Sequence, residues 1–206
     1  MIKSGEVPEQ WAINPKTGER LLAPLRASRK KLRVGDVFAM CPGDFYLFGT
    51  VVRTDVSLEG GVVVGPEWRE MVPQPGDSNL LYVFEGKSPT IAMPADLRDR
   101  SLLIPPEITN RQGWLRGYFE TIGHLDRPID HGPHSFCDTR RIVLRYYDEA
   151  GTRLAEPHGD VGMYYLSAFE LIAVNVHRAL RGELLVPPGS PRIGHGAQVY
   201  PALAGR

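Results

Sequence analysis

The stretch from Leu32 to Thr54, LRVGDVFAMCPGDFYLFGTVVRT, constrains the fold more than any other part of the chain. It reads as two short strands joined by a tight loop. Val34, Val37, Ala39 and Cys41 are interleaved with Phe38 and Met40. After Pro42-Gly43-Asp44 come Tyr46-Leu47-Phe48, Gly49 and Thr50-Val51-Val52. Runs of β-branched and aromatic residues bounded by Gly, Pro and Asp are strand and hairpin signals. Gly35-Asp36 and Gly43-Asp44 give the backbone the freedom its corners need. The pattern predicts the opening of a small curled sheet, entered through the basic run Arg29, Lys30, Lys31 and Arg33.

Further strands follow. Asn79 to Glu85 (NLLYVFE) is apolar on both faces, as a sheet interior requires. Leu102-Leu103-Ile104 is strand-like and stopped by Pro105-Pro106. Gly113 to Ile122 (GWLRGYFETI) alternates, with Trp114, Arg116, Tyr118 and Glu120 against Leu115, Gly117, Phe119 and Thr121, and so predicts a strand with one polar-aromatic face. Arg141 to Tyr147 predicts another, ending at the corner Asp148-Glu149-Ala150-Gly151.

One helix is expected, over Ser167–Arg181. Ser167 and Glu170 have capping-box spacing. Phe169, Ile172, Ala173, Val176, Ala179 and Leu180 fall on one face, His177 lies on the polar side as a solvated residue, and Gly182 is placed to end the helix. With 22 Gly and 18 Pro, the chain favours short strands and many loops. The expected class is α+β: a strongly curved, mostly antiparallel sheet, with an SH3-like, partly open barrel as one form it can take, and one main C-terminal helix packed on it. Residues 1–28 read as a loosely structured extension in which Trp11 and Leu21-Leu22 can still dock. Residues 29–182 read as the α+β domain, and 183–206 as a Pro/Gly-rich tail, extended or mobile.

The 206 residues carry 24 Lys and Arg against 24 Asp and Glu, so no global field draws the protein to nucleic acid or to anionic lipid. Cys41 and Cys137 lack metal spacing and read as free thiols of a reducing compartment. No segment approaches the length of a membrane span, and the first residues lack the apolar core of a signal peptide. A cytoplasmic protein is expected.

Chemistry-bearing residues are densest from Asp130 through His131 and His134 to Asp138. Two histidines and a carboxylate can bind zinc or exchange protons, and on that basis a small hydrolase or nuclease is the alternative function. Gly132-Pro133 separates the histidines and no third ligand is fixed by spacing, so a polar loop is preferred and no metal or cofactor is expected. Cys137, near His134, reads as a small buried residue at a strand start. The basic run at Arg29–Arg33 reads as a solvated lead-in, or as a phosphate grip in a nucleic-acid-binding barrel, which the neutral charge makes the lesser choice. Phosphate-loop, dinucleotide-binding and nucleophile-elbow motifs are all missing. No catalytic residue is assigned.

Taken in order, Leu32-Arg33-Val34-Gly35-Asp36-Val37-Phe38-Ala39, Phe45 to Val52, Leu103-Ile104-Pro105-Pro106, Gly113-Trp114-Leu115-Arg116-Gly117-Tyr118-Phe119, Phe136 and Tyr146 to Gly151 resemble the immunity protein 26 family of bacterial polymorphic toxin systems. The resemblance covers roughly residues 29–182. It implies a protein that binds a cognate toxin and neutralises it by contact, without catalysis. Tyr, Trp and Arg are enriched at binding hot spots. The expected partner site is therefore Trp114, Arg116, Tyr118 and Glu120 on one strand face, with Asp126 and Asp130 nearby. For a basic toxin, Asp126, Asp130 and Asp138 form the expected acidic patch.

Overall fold

Strands that are apolar on both faces need cover on both faces, and the chain provides it with three layers. The computed structural model describes residues 11–54, 56, 63–64, 70–71, 78–138, 144–186 and 198–199. With strands numbered in chain order, the middle layer is an eight-stranded sheet. Its order is β6 (Glu70–Met71), β5 (Val63–Val64), β14 (Leu166–Ser167), β8 (Glu107–Thr109), β7 (Asn79–Val83), β4 (Leu47–Thr54), β3 (Asp36–Met40) and β9 (Glu120–His124). Neighbours pair antiparallel, except that β14 runs parallel to both β5 and β8.

The predicted hairpin is β3–β4, with Phe38 opposite Gly49. That glycine is required by packing: a Cβ there would run into the Phe38 ring and the Tyr82 carbonyl oxygen. Alternation then splits the core. Phe38, Met40, Leu47, Val51, Leu81 and Val83 face one side of the sheet. Val37, Ala39, Phe48, Val52, Leu80 and Tyr82 face the other.

The first side is covered by α2 (Phe169–Leu180), through Phe169, Ile172, Ala173 and Val176. The second is covered by a smaller sheet of order β12 (Arg153–Leu154), β11 (Arg145–Tyr147), β10 (His134–Asp138) and β13 (Asp160–Met163), with β10 and β13 parallel. Phe136 and Tyr164 carry this contact. The result is α+β as expected, with strands mostly antiparallel and an open sheet rather than a closed barrel.

Leu102–Ile104 forms only an isolated bridge from Leu102 to Phe84, and three further local expectations change. The first concerns Gly113–Phe119. It is not a strand but a short helix, α1 (Gln112–Leu115), followed by a turn through Gly117 at φ +80°. Its aromatics suit either period, and packing decides. Trp114 stacks edge-on against Phe38 and Phe119, with ring centres 5.2 and 5.0 Å away, and Gly113 leaves room for the Phe119 ring.

The second change is at the start of α2, which is capped by Ala168 without a side-chain bond. Ser167 instead donates its hydroxyl to the buried Glu107 Oε2 at 2.6 Å, so the capping box does not form. The end of α2 is as expected. Gly182 takes φ +70°, and the amides of Gly182 and Glu183 donate to Ala179 and Arg178, closing a Schellman motif. The third change is His177, which is mostly buried; its Nε2 donates to the Leu21 carbonyl at 2.8 Å and ties α2 to the N-terminal segment.

That segment is docked from residue 11 onward. β1 (Ala12–Ile13) pairs with β2 (Arg20–Leu22), and Leu21 and Leu22 are fully buried against α2. Of the C-terminal tail, β15 (Leu185–Val186) pairs in parallel with β16 (Gln198–Val199). Residues 1–10, 187–197 and 200–206 lie outside the described residues, as do 141–143 of the strand expected over Arg141–Tyr147.

Candidate functional site

Of the places where polar side chains meet among the described residues, two are candidates for a functional site. The first is built on the interface between the two sheets. His134 opens β10 with its ring turned inward, 1% exposed. Its Nδ1 meets Glu149 Oε1 at 2.5 Å, and its Nε2 meets the hydroxyl of the fully buried Tyr82 on β7 at 2.5 Å. A carboxylate only accepts, so Nδ1–H donates to Glu149, while Nε2 shares a hydrogen bond with the Tyr82 hydroxyl. The Tyr82 oxygen also accepts the His131 backbone N–H at 3.2 Å, and the His131 ring stacks on Tyr82 at 4.7 Å. Arg53 then bridges outward, from Nε to Glu149 Oε2 at 2.9 Å and from its NH2 group to Asp130 Oδ2 at 3.0 Å.

A hydroxyl, an imidazole and a carboxylate in this order resemble a nucleophile–base–orienter chain. The oxygen that would react is enclosed, however, and both imidazole nitrogens are occupied. Here the chain works as a strut joining β7, β10 and the Asp148–Gly151 corner.

Of the residues expected to act together from Asp130 to Asp138, the structure gathers His131 and His134 on Tyr82 and links Asp130 to them through Arg53 and Glu149, and leaves Asp138 apart. Asp130 is an exposed partner of Arg53, while Asp138 is buried at the end of β10. Among the described residues, no group of three or more His, Cys, Asp or Glu could hold a metal ion. Cys137 is fully buried, and burial pushes its thiol up to about 12, with the Asp138 carboxylate adding to the effect. A thiolate nucleophile is correspondingly disfavoured.

The predicted partner face also comes apart, because it required a strand. Trp114 is 1% exposed, and Tyr118 is 8% exposed, stacked on Phe169 at 4.9 Å. Arg116 is exposed, pairs with Glu170 at 3.7 Å and lies over the Phe169 ring. Asp126 is exposed in the bend after β9. The acidic patch is lost with Asp138, whose side chain faces the interior.

Glu120 leads to the second place. It opens β9, the last strand of the large sheet, and its Oε1 pairs with Arg26 at 3.2 Å. Between β9 and the segment Arg26–Arg33 runs an open groove of about 1000 Å³. One wall presents Arg26, Arg29, Lys30, Lys31 and Arg33, all exposed. The other is β9 itself, with Asp36 between the two.

The walls are fixed in place. Leu25 and Ser28 donate their amides to the Gly117 and Trp114 carbonyls. Arg111 NH2 holds the carbonyls of Arg29 and Lys30 at 2.7 and 3.0 Å. The buried Asp36 carboxylate accepts the Arg33 amide at 2.9 Å and meets His124 Nδ1 at 3.0 Å, linking wall to wall. Five cations face two carboxylates across this groove. Arg26 and Arg33 have carboxylate partners; Arg29, Lys30 and Lys31 have none among the described residues.

The basic run is exposed, as a solvated lead-in would be, and also forms one wall of the groove. Its sequence signal was the charge itself, whereas Arg111, His124 and the β9 edge left no local trace. The same holds for Tyr82, Glu149 and Arg53 in the buried strut. Among the described residues no helix is long and apolar enough to cross a membrane. Neither a family model, a curated protein nor a solved structure matches the chain.

Proposed function

We propose that this protein is an immunity-type binding protein: it acts in the cytoplasm and neutralises a cognate toxin by contact, without chemistry of its own. The observation that carries the binding reading is the groove beside β9. Among the described residues a sheet edge is left open there, its opposite wall is held by side-chain and backbone hydrogen bonds, and three cations lack carboxylate partners. A preformed surface of this kind loses little entropy when a partner docks.

The toxin as partner rests on the ordered segments that resemble the immunity family. Their bulky members Phe38, Trp114 and Phe119 pack as one cluster against Leu103 and Ile104. The resemblance thus bears first on how the chain folds, and function has to be argued from the surface. The hydrolase or nuclease alternative is set aside because a substrate reaching His134 would have to displace Tyr82 or Glu149.

The test is capture from the source cells followed by expression of the captured protein. A near-stoichiometric partner that stops growth alone and is harmless beside this chain supports the reading. A partner that is harmless alone overturns it.

A further inference from the structure

From the edge position of β9 and the charge opposite it, we infer that the groove takes an extended, acidic segment of the partner protein as an added strand on β9. This deepens the binding reading above and depends on it. β9 is the terminal strand of the eight-stranded sheet; its inner edge pairs with β3, and no described strand pairs with its outer edge. An unpaired edge is a template for another strand, and proteins that do not use one cover it, twist it away or block it with proline. Here β9 contains no proline and is flanked by a trough instead of a covering element; its pairing with β3 shifts register between Gly123 and Thr121, with Glu120–Thr121 and Gly123–His124 paired on either side.

Main-chain pairing along such an edge provides affinity for any extended chain, and flanking side chains select among them. The selecting wall is cationic. Arg29, Lys30 and Lys31 have no carboxylate partner among the described residues, while Arg26 pairs with Glu120, the first residue of the edge.

A nucleic acid fits less well. Among the described residues no Phe, Tyr or Trp lines the groove to stack on a base, and the backbone groups of β9 match a peptide better than a phosphodiester.

The full chain, isotopically labelled, is titrated with a synthetic acidic peptide of about ten residues alternating glutamate and threonine, a length that spans β9 at about 3.3 Å per residue. Outward amides within Glu120–His124 are expected to exchange at least about tenfold more slowly when the peptide is bound. The lysine-for-glutamate peptide should give no protection. The variant Lys30→Glu/Lys31→Glu removes no side-chain hydrogen bond or ion pair among the described residues, so it should keep the wild-type spectrum elsewhere and lose the peptide.

Absence of β9 protection at millimolar peptide overturns the strand addition, and would mean that the cations serve only to keep the edge unpaired. Binding of single-stranded DNA in preference to the acidic peptide overturns the partner chemistry. If the toxin is still neutralised fully by the Lys30→Glu/Lys31→Glu variant, this inference fails and the immunity reading stands. If wild type neutralises no toxin while the peptide still protects β9, the immunity reading fails and the groove assignment stands.

Discussion

Glu107 is a carboxylate buried in the seam between β8, β14 and α2, 1% exposed and without a cation partner among the described residues. Ser167 Oγ donates to its Oε2 at 2.6 Å and Asn175 Nδ2 to its Oε1 at 2.9 Å. Burial raises its pKa from 4.5 to about 7, against the lowering effect of these two bonds. A carboxyl raised in the folded state stabilises the fold fully below its unfolded value and loses that stabilisation as pH rises through the folded one. At about 1.4 kcal/mol per tenfold change in proton affinity, the loss across this window is about 3 kcal/mol.

Glu107→Gln has the shape of the protonated acid. Its amide can donate to Ser167 Oγ while its carbonyl still accepts from Asn175. The variant and wild type should therefore unfold at similar urea concentrations at about pH 4.5, and at about pH 8 the variant should be more stable by about 3 kcal/mol. Other titrating groups are common to both proteins and cancel in the comparison. A gap that does not change between the two pH values, or a variant less stable than wild type at the higher one, would refute the reasoning.

Three further outcomes follow from the packing. Trp114→Ala should cost about 3–5 kcal/mol by opening a cavity between Phe38 and Phe119, whereas Arg116→Ala, on the surface, should stay within about 0.5 kcal/mol of wild type in urea unfolding. Tyr82→Phe should cost about 1–3 kcal/mol in the same assay, because it removes the hydroxyl that meets the buried His134 Nε2. The Cys137 thiol should resist maleimide or disulfide reagents at neutral pH in the native protein and react only at the rate of unfolding, as a buried thiol with a pKa of about 12 must.

The middle sheet was legible in the sequence because β3, β4 and β7 are apolar on both faces, a pattern with few solutions. Gly182 was legible for a similar reason, since its left-handed turn leaves few other residues possible. Gly113–Phe119 misled because glycine and aromatics at that spacing satisfy a strand and a tight helical turn equally, and only the Phe38 ring decides between them. Ser167 misled because its competing partner, Glu107, lies 60 residues earlier in the chain. Neither candidate site could be read locally. The strut joins Tyr82, His134 and Glu149 from separate elements, and the groove exists only because β9 ends up beside Arg26–Arg33. What the sequence did offer was the unusual density of charge at Arg29–Arg33.

Neutralisation by contact and neutralisation by chemistry differ most directly in stoichiometry. The decisive measurement is a titration of the captured toxin's activity with this protein, at toxin concentrations well above the dissociation constant. The expected result is a linear loss of activity that ends at one equivalent, with the Lys30→Glu/Lys31→Glu variant needing a large excess. Complete inactivation by a small fraction of an equivalent, growing with time, would contradict a binding protein and return attention to His134 and its partners.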